Sequence, residues 1–334
     1  MMTKTVRFHK TGGPEVLEFE SLEVGEPSAG EARVRIEAIG VNRAEAAFRS
    51  GNYVEKAQLP ARIGYEAAGI VEAVGADVRD FAAGDRVCIL PAFSMNQYGV
   101  YAERAIVPAS ALLAVPKSLA TIEAAAVWMQ YLTAYGALVD IANLQPGEAV
   151  VITAASSSVG IAAIQIANRL QAMPIAVTRT NAKEGSLKNA GAAHVVKLED
   201  KNLETEVQRL TSGRGARLAF DPIGGTAVVA SLAAALGPQG MLILYGNLSG
   251  EARQTIIPFG PAVGKGLSLR GYLVFEVIHS PDRFERAKRF ILEGLQHGWL
   301  KPVIARTFAF TDIAEAHRYL ESNQQLGKVV VTVP

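Results

Sequence analysis

The sequence predicts a two-domain α/β protein in which an antiparallel β domain precedes a doubly wound parallel sheet. Strands and helices alternate from about residue 148 to 269, whereas residues 1 to about 120 are short alternating segments between Gly/Pro turns. At 334 residues, the chain is long enough for two sizeable cores. The last segment breaks the alternation, so we expect it to rejoin the first domain. The expected boundaries are 1–122 and 267–334 for the discontinuous β domain and 123–266 for the parallel sheet.

Charge and composition exclude several classes of function. The formal net charge is +1 and no run of Lys or Arg occurs, so nothing indicates binding to nucleic acid. No apolar run approaches the roughly 18 residues of a membrane span, and the N-terminus lacks the apolar core of a secretion signal. The single cysteine, Cys88, excludes an internal disulfide and a four-cysteine zinc site. We therefore expect a cytoplasmic protein that binds neither nucleic acid nor membrane.

The elements of the first domain follow from period-two alternation between turns. Segments such as TGGPE and GEPSAG supply the turns and favour an antiparallel arrangement. Residues 121–142 then carry apolar side chains at helical spacing and predict one long helix. The predicted strands are Lys4–Phe8, Ala32–Ala38, Gly69–Val74, Asp85–Leu90 and Ala102–Val107.

Six apolar runs predict the strands of the parallel sheet, which is the full complement of a dinucleotide-binding domain. Helical stretches lie between most of them, and the tail adds two helices (Arg283–Gly294 and Ala314–Glu321) and a final strand (Lys328–Val333). The six predicted strands are Val150–Thr153, Ile175–Val177, His194–Val196, Arg217–Phe220, Met241–Tyr245 and Leu267–Leu269.

The β-α-β unit over residues 149–179 indicates a ligand. Its first turn is built from small residues and leads into a helix, whose N-terminal N–H groups and positive dipole end suit a pyrophosphate. Of the usual G-x-G-x-x-G pattern only Gly160 is kept, and the hydroxyls of Ser156, Ser157 and Ser158 can replace some of the missing backbone donors. Ser158 could equally be only the helix N-cap.

The residues after the second strand of this unit indicate which dinucleotide binds. An NAD site carries an acid about twenty residues beyond the glycine-rich turn. Here Thr178, Arg179 and Thr180 stand at that distance, followed by Lys183, and no acid occurs before Glu184. A carboxylate would repel a 2′-phosphate, whereas a guanidinium can hold it through paired hydrogen bonds. We predict NADP(H) rather than NAD, and the alternative is two solvated cations after a strand.

Four segments resemble one family in order and spacing. They are TGGPEVLEF, GVNRAEAAFRSGNY, LPARIGYEAAGIVEAVGADVRDFAAGDRV and YGALVDIANLQPGEAVVITAASSSVG. The chain resembles, over essentially its whole length, the zinc-independent medium-chain dehydrogenases/reductases of the quinone-oxidoreductase (zeta-crystallin-like) branch. The resemblance implies a GroES-like β-barrel catalytic domain, a Rossmann domain, and a homodimer with Leu267–Val277 as the inter-subunit edge.

The zinc-dependent relatives supply a Cys after the Gly-Val pair and a His in a Gly-His-Glu triplet. At those positions this chain has Asn42 and Tyr65, which are poor zinc ligands, so we predict no metal. Without a metal, alcohol oxidation lacks its Lewis acid. The resemblance then implies hydride transfer from NADPH to a quinone or an α,β-unsaturated carbonyl. The alternatives are a 2-enoyl thioester reductase and a non-catalytic NADPH-binding or structural protein.

The resemblance also implies site residues. Asn42 lies near the nicotinamide unless it is a plain turn residue, and Tyr53 lies beside the substrate, where a protonated phenol can serve a developing enolate, unless it only packs. Thr133 contacts the nicotinamide side unless it bonds its own helical turn. The remaining cofactor residues are Ser156, Ser157, Ser158 and Val159 for the pyrophosphate, Arg179 and Lys183 for the 2′-phosphate, Asn247, Leu248 and Phe275 for the nicotinamide, and Lys328 near the nucleotide.

Overall fold

The computed structural model describes residues 1–251 and 255–334, which form two compact units. The first unit comprises Met1–Met129 and Pro302–Pro334, and the second comprises Gln130–Lys301. The chain therefore returns to the first unit at residue 302, later than the expected residue 267. The reason is that Ser268–Gly271 still pairs with the parallel sheet, and the helix after it is ion-paired within the second unit.

The first unit contains a three-stranded sheet and a seven-stranded sheet, and the longest strand of the larger sheet alternates between buried and partly exposed residues. Along that strand Val34 and Ile36 are fully buried, whereas Arg33 and Arg35 between them face outward, as period two requires. The elements are β1 (Met2–Phe8), β2 (Glu18–Glu23), β3 (Glu31–Val41), α1 (Arg43–Arg49), β4 (Ala61–Arg62), β5 (Glu66–Val74), β6 (Arg86–Ile89), β7 (Arg104–Pro108), β8 (Leu112–Ala114) and α2 (Thr121–Ala124). The five predicted strands correspond to β1, β3, β5, β6 and β7.

The second unit is a six-stranded parallel sheet with the spatial strand order β11 (His194–Lys197), β10 (Met173–Thr178), β9 (Ala149–Ile152), β12 (Ala216–Asp221), β13 (Leu236–Leu244) and β14 (Ser268–Gly271), which confirms the predicted doubly wound fold. The order reverses between β9 and β12, and ligands bind at the carboxyl ends of the strands beside such a point. The elements are α3 (Trp128–Tyr135), β9 (Ala149–Ile152), α4 (Ser158–Arg169), β10 (Met173–Thr178), α5 (Glu184–Asn189), β11 (His194–Lys197), α6 (Leu203–Leu210), β12 (Ala216–Asp221), α7 (Thr226–Ala235), β13 (Leu236–Leu244), α8 (Phe259–Lys265), β14 (Ser268–Gly271), α9 (Phe275–Ile278) and α10 (Pro281–His297).

The C-terminal segment completes the first unit with β15 (Ile304–Ala309), α11 (Ile313–Glu321) and β16 (Lys328–Thr332). β16 lies between β15, to which it is parallel, and β3, to which it is antiparallel. The predicted final strand is thus a central strand of the main sheet, which explains why its valines are all buried. Within the described residues, no helix has both the length and the apolar character needed to cross a bilayer.

The prediction of one helix over residues 121–142 is wrong, because tertiary hydrogen bonds interrupt it. α2 ends before α3 begins, and the backbone N–H of Met129 donates to the Glu66 carboxylate (3.0 Å). α3 then widens into a π-helical turn where the Tyr272 hydroxyl donates to the carbonyl of Leu132 (3.2 Å). These partners replace regular i→i+4 bonds, so local periodicity alone could not reveal the breaks.

Candidate functional site

The turn between β9 and α4 has the geometry of a phosphate loop. Ala154 has a φ of 43°, a left-handed conformation that only small or special residues adopt readily. Ser157 is the N-cap of α4, since its Oγ accepts the N–H of Gly160 (3.0 Å), and Ser158 is the first helical residue. An added Cβ at Gly160 would lie 2.5 Å from the carbonyl oxygen of Ala155, so only glycine fits. The cap function that was left open for Ser158 therefore belongs to Ser157, and Ser158 and Val159 contribute the first helical N–H groups.

A pair of cations lies beside this loop, at the carboxyl end of β10. Lys183 Nζ donates to Ser156 Oγ over 2.9 Å, which joins the β9 and β10 ends. The pKa of Lys183 is lowered, first by burial and then by the charge of Arg179. Among the described residues, no carboxylate forms an ion pair with Arg179, whose side chain is exposed. The arrangement concentrates positive charge at the strand end where the sequence predicts the 2′-phosphate.

The strand reversal between β9 and β12 holds a buried carboxylate that sequence reasoning missed. Asp221, at the end of β12, accepts hydrogen bonds from the Thr153 hydroxyl and from the Gly224 N–H (2.7 Å). Burial raises the pKa of Asp221. Next to it, the rings of Phe220 and Tyr245 stack with centroids 4.1 Å apart. The signal in the sequence was an Asp directly after a buried strand and before a Pro-x-Gly-Gly turn, which is a loop-forming pattern at the ligand edge.

Four of the residues predicted for the nicotinamide side lie in the second unit. Asn247 and Leu248 follow β13 at the same sheet edge, where the Leu248 N–H donates to the Pro222 carbonyl (2.9 Å). Thr133 is buried on α3, and the half-buried Phe275 begins α9. Their roles at the nicotinamide stay predictions.

In the first unit, Tyr53 belongs to a run of aromatic rings that we call the aromatic cluster: Phe48, Tyr53, Tyr65, Phe93 and Tyr98. Neighbouring centroids in this run are 5.8–6.4 Å apart. Tyr53 follows α1 and packs edge-on against Phe48 at 6.4 Å. Burial raises the pKa of Tyr53 to about 12, so its phenol carries a proton at neutral pH.

The side-chain amide of Asn42, which follows β3, forms hydrogen bonds through both its nitrogen and its oxygen. Its Nδ2 donates to the Gly40 carbonyl (3.0 Å) and to Glu45 Oε1 (3.1 Å). Its Oδ1 accepts from Lys328 Nζ at 2.5 Å. The amide is oriented by these three neighbours, which leaves one lone pair of Oδ1 for a ligand hydroxyl.

Lys328 is held inside the same network. Its ammonium lies 2.5 Å from Glu66 Oε2, and both side chains have no exposure. Glu45 is also fully buried, and its pKa is raised to about 7 by burial, against the nearby Lys328 charge. The charge of the Lys328 ammonium is therefore balanced by the Glu66 carboxylate, so Lys328 could affect the nucleotide only through its hydrogen bond to Asn42.

This network occupies the positions at which zinc-dependent relatives carry metal ligands. Asn42 and Tyr65 replace the Cys and His, and the remaining carboxylate of Glu66 is neutralised by Lys328. Across residues 1–251 and 255–334, no group of three or more His, Cys, Asp or Glu side chains is placed to hold a metal ion.

Comparisons with known proteins agree with this geometry. Residues 28–117 match the family model described as alcohol dehydrogenase GroES-like domain, and residues 158–293 match the one described as zinc-binding dehydrogenase. A quinone oxidoreductase of Pseudomonas aeruginosa is 30% identical over 331 residues, covering 99% of both chains. The chain belongs to the medium-chain dehydrogenases/reductases, in the quinone-oxidoreductase branch.

Two further members of the branch are similar over nearly the full length. A 2-haloacrylate reductase of Burkholderia sp is 29% identical over 334 residues and 99% of each chain. The structure of an Escherichia coli quinone oxidoreductase complexed with NADPH superposes with a TM-score of 0.90 at 28% identity, covering 98% of this chain and 99% of that one. The two family models and this structural match confirm the predicted combination of a GroES-like and a Rossmann domain.

Proposed function

We propose that this medium-chain reductase transfers a hydride from NADPH to a quinone or an α,β-unsaturated carbonyl. The observation that carries the proposal is the cation pair at the end of β10: Lys183 donates to the Ser156 hydroxyl, the charge of Arg179 lowers the pKa of Lys183, and within the described residues no carboxylate is ion-paired with Arg179. A doubly charged 2′-phosphate would relieve the repulsion between these two cations. The NADPH complex of the Escherichia coli relative supports the same cofactor.

The residues present fit the rest of the dinucleotide. Ser158 and Val159 offer the N-terminal N–H groups of α4 to the pyrophosphate, and the Ser156 and Ser157 hydroxyls lie in the same turn. Gly160 keeps the helix close enough to the strand for that approach. We propose that Thr133, Asn247, Leu248 and Phe275 border the nicotinamide, whose bound form supplies the hydride.

The first unit supplies the proton in this proposal. Reduction of an enone or quinone leaves negative charge on an oxygen, and Tyr53 carries a proton at neutral pH because burial raises its pKa to about 12. Asn42 keeps one acceptor site on Oδ1 for a cofactor hydroxyl, and Lys328 and Glu45 hold the amide in place.

The test is NADPH consumption by the purified, chelator-treated protein with quinones, enones, enals and 2-enoyl thioesters. We expect turnover with the first two or three classes, faster with NADPH than with NADH. A preference for thioesters would move the function to an enoyl thioester reductase. Tight NADPH binding without turnover on any acceptor would contradict the reductase assignment, and so would activity that appears only on addition of Zn²⁺.

We also propose that two copies pair through the edge strand β14. Within the described chain β14 pairs only with β13, and Leu269 and Leu273 are exposed on and beside it. Light scattering should give twice the chain mass, and Leu269→Lys should halve it.

We place the protein in the cytoplasm, where its proposed reductant is available, and cell fractionation checks this.

A further inference from the structure

The segment that carries Tyr53, residues 53–59, is held by a residue distant in the sequence. The segment lies between α1 and β4 and contains no helix or strand. The backbone bonds at the end of α1 stop at Asn52, whose N–H donates to the Ala47 carbonyl (2.8 Å). Within the part of the chain that the structure describes, the backbone of residues 53–59 is hydrogen-bonded only to Asn96.

The side-chain amide of Asn96 reaches this segment through both its oxygen and its nitrogen. Its Oδ1 accepts the N–H of Gln58 (2.8 Å). Its Nδ2 donates to the Lys56 carbonyl (2.9 Å) and to Glu55 Oε1 (2.9 Å). These bonds span 38 to 41 positions of sequence, and the Ser94 hydroxyl donates to the same Glu55 oxygen. The amide thus uses both of its donors and one acceptor lone pair on a single segment.

Asn96 itself belongs to a tight turn over residues 94–98. Its N–H donates to Ser94 Oγ (3.1 Å), and the N–H groups of the next two residues donate to the Ser94 carbonyl (3.1 and 3.0 Å). The side chains of Phe93 and Met95, on either side of Ser94, are buried. The turn is therefore fixed in the first unit, and the Asn96 amide extends from it to the Tyr53 segment.

The aromatic cluster also joins the two segments. The Tyr53 ring packs against Phe48 and Tyr65, and Tyr65 packs in turn against Phe93 (5.9 Å). Apolar packing is non-directional, whereas a hydrogen bond weakens steeply when its angle changes. The ring contacts therefore keep the segments together, and the three bonds of Asn96 set the position of the backbone.

We propose that Asn96 is a positioning residue for Tyr53: its amide holds residues 55–58 and thereby fixes the backbone that presents the Tyr53 phenol to the acceptor. The proposal rests on the proposed function. In that step the Tyr53 O–H bond breaks, and an O–H bond forms on the acceptor oxygen that gained charge with the hydride from NADPH. The electron pair stays on the phenol oxygen, and solvent returns the proton. Asn96 takes no part in this transfer and acts by limiting the positions open to Tyr53.

The first test is a double-mutant cycle of Tyr53→Phe and Asn96→Ala. With an enone, Asn96→Ala should lower kcat about 5- to 50-fold, because the phenol is no longer held in the productive position. The KM for NADPH should stay the same, since the three bonds of Asn96 go to residues 55–58. In the Tyr53→Phe background the second substitution should cost less than about 2-fold. A full additional loss in the double variant would overturn the proposal.

A rescue experiment separates the hydrogen bonds from side-chain volume. Asn96→Asp keeps the acceptor for Gln58 but places a carboxylate against Glu55 and the Lys56 carbonyl, so kcat should fall at least as far as in Asn96→Ala. Glu55→Gln alone should change kcat less than about 3-fold, because its amide oxygen still accepts from Asn96. Combined with Asn96→Asp, it should raise kcat at least about 3-fold, because the glutamine amide can donate to the new carboxylate. No recovery in the combined variant would overturn the proposal.

The hold on the segment can also be measured without turnover, by hydrogen exchange. The Gln58 N–H donates to Asn96 Oδ1, so peptides covering residues 53–60 should exchange about 10-fold faster in Asn96→Ala, and peptides from β5 should not change. Gln97→Ala is the matched control, because it removes an exposed side chain from the same turn and should change neither exchange nor kcat.

The exchange measurement also separates this proposal from the proposed function. If the wild type reduces none of the acceptors, the proposed function fails, and faster exchange in Asn96→Ala would still show that Asn96 holds the segment. Exchange of residues 53–60 that is the same in the wild type and in Asn96→Ala would refute the positioning role, whatever the protein reduces.

Discussion

Two lysines that the sequence assigns to the nucleotide lie in opposite surroundings. Lys183 is half-buried and has the Ser156 hydroxyl at 2.9 Å and the like charge of Arg179 nearby. Lys328 is fully buried, 2.5 Å from both Glu66 and Asn42. A cation beside another cation gains from an anionic ligand, whereas a cation already paired with a carboxylate has nothing to gain. We therefore predict that the same residue type serves nucleotide binding at Lys183 and structure at Lys328.

The largest effect should come from breaking the buried ion pair. Lys328→Met leaves Glu66 charged and unpaired without exposure, which costs about 3–5 kcal/mol of unfolding free energy. Urea unfolding at neutral pH measures the loss. Adding Glu66→Gln to Lys328→Met removes the uncompensated charge and should recover much of it. A loss below about 1 kcal/mol would mean that the pair is not a structural element.

The second prediction concerns pH and the same network. The pKa of Glu45 is raised from 4.5 to about 7 in the folded protein, so the folded state holds this proton more tightly than the unfolded chain. Protonation of Glu45 therefore stabilises the folded state fully below pH 4.5, and this stabilisation is lost as the pH rises through 7. The difference of 2.5 pKa units corresponds to about 3 kcal/mol.

Glu45→Gln isolates this effect because amide and carboxyl groups have nearly the same shape. The unfolding free energy of the wild type should fall relative to the variant between pH 4.5 and 8, as measured by denaturant titration at each pH. Parallel curves for the two proteins would show that Glu45 does not titrate in this range.

The contrast between the two lysines also shows which features of the structure can be predicted from the sequence. Apolar runs such as Val150–Thr153 predicted the six parallel strands, and a run like this one, which is buried along the whole of β9, needs no distant partner to be recognised. The turn between β9 and α4 was likewise predicted from its own residues. The network around Lys328 was not, since it joins residues up to 286 positions apart. The spacing of Asn42 and Glu45 at the start of α1 was its only local signal.

Tyr65 shows the same limit within the site. The sequence identified it only as a poor zinc ligand, and its contact with Tyr53 depends on how the segment after α1 folds back over β5. Tyr53 itself was predicted through the family resemblance, and its role as proton donor stays a prediction.

The third prediction concerns Arg179, the exposed cation beside Lys183. Arg179→Ala should raise the KM for NADPH about 10- to 150-fold, equivalent to 1.5–3 kcal/mol for a charged hydrogen-bonded pair, with little change for NADH. Steady-state kinetics or binding titrations with both cofactors provide the measurement. Equal effects on NADPH and NADH would place Arg179 away from the 2′-phosphate.

The smallest effect should be that of Lys183→Gln. Glutamine keeps a donor for Ser156 and removes only the charge, so the KM for NADPH should rise about 2- to 10-fold, or roughly 0.5–1.5 kcal/mol. Lys188→Gln is the matched control, because this exposed lysine on α5 is already paired with Glu184 at 2.8 Å. Lowering the ionic strength should enlarge the Lys183 effect, since a half-exposed charge is screened by salt. If both variants behave alike, the second cation is a solvated surface charge and Arg179 alone selects the cofactor.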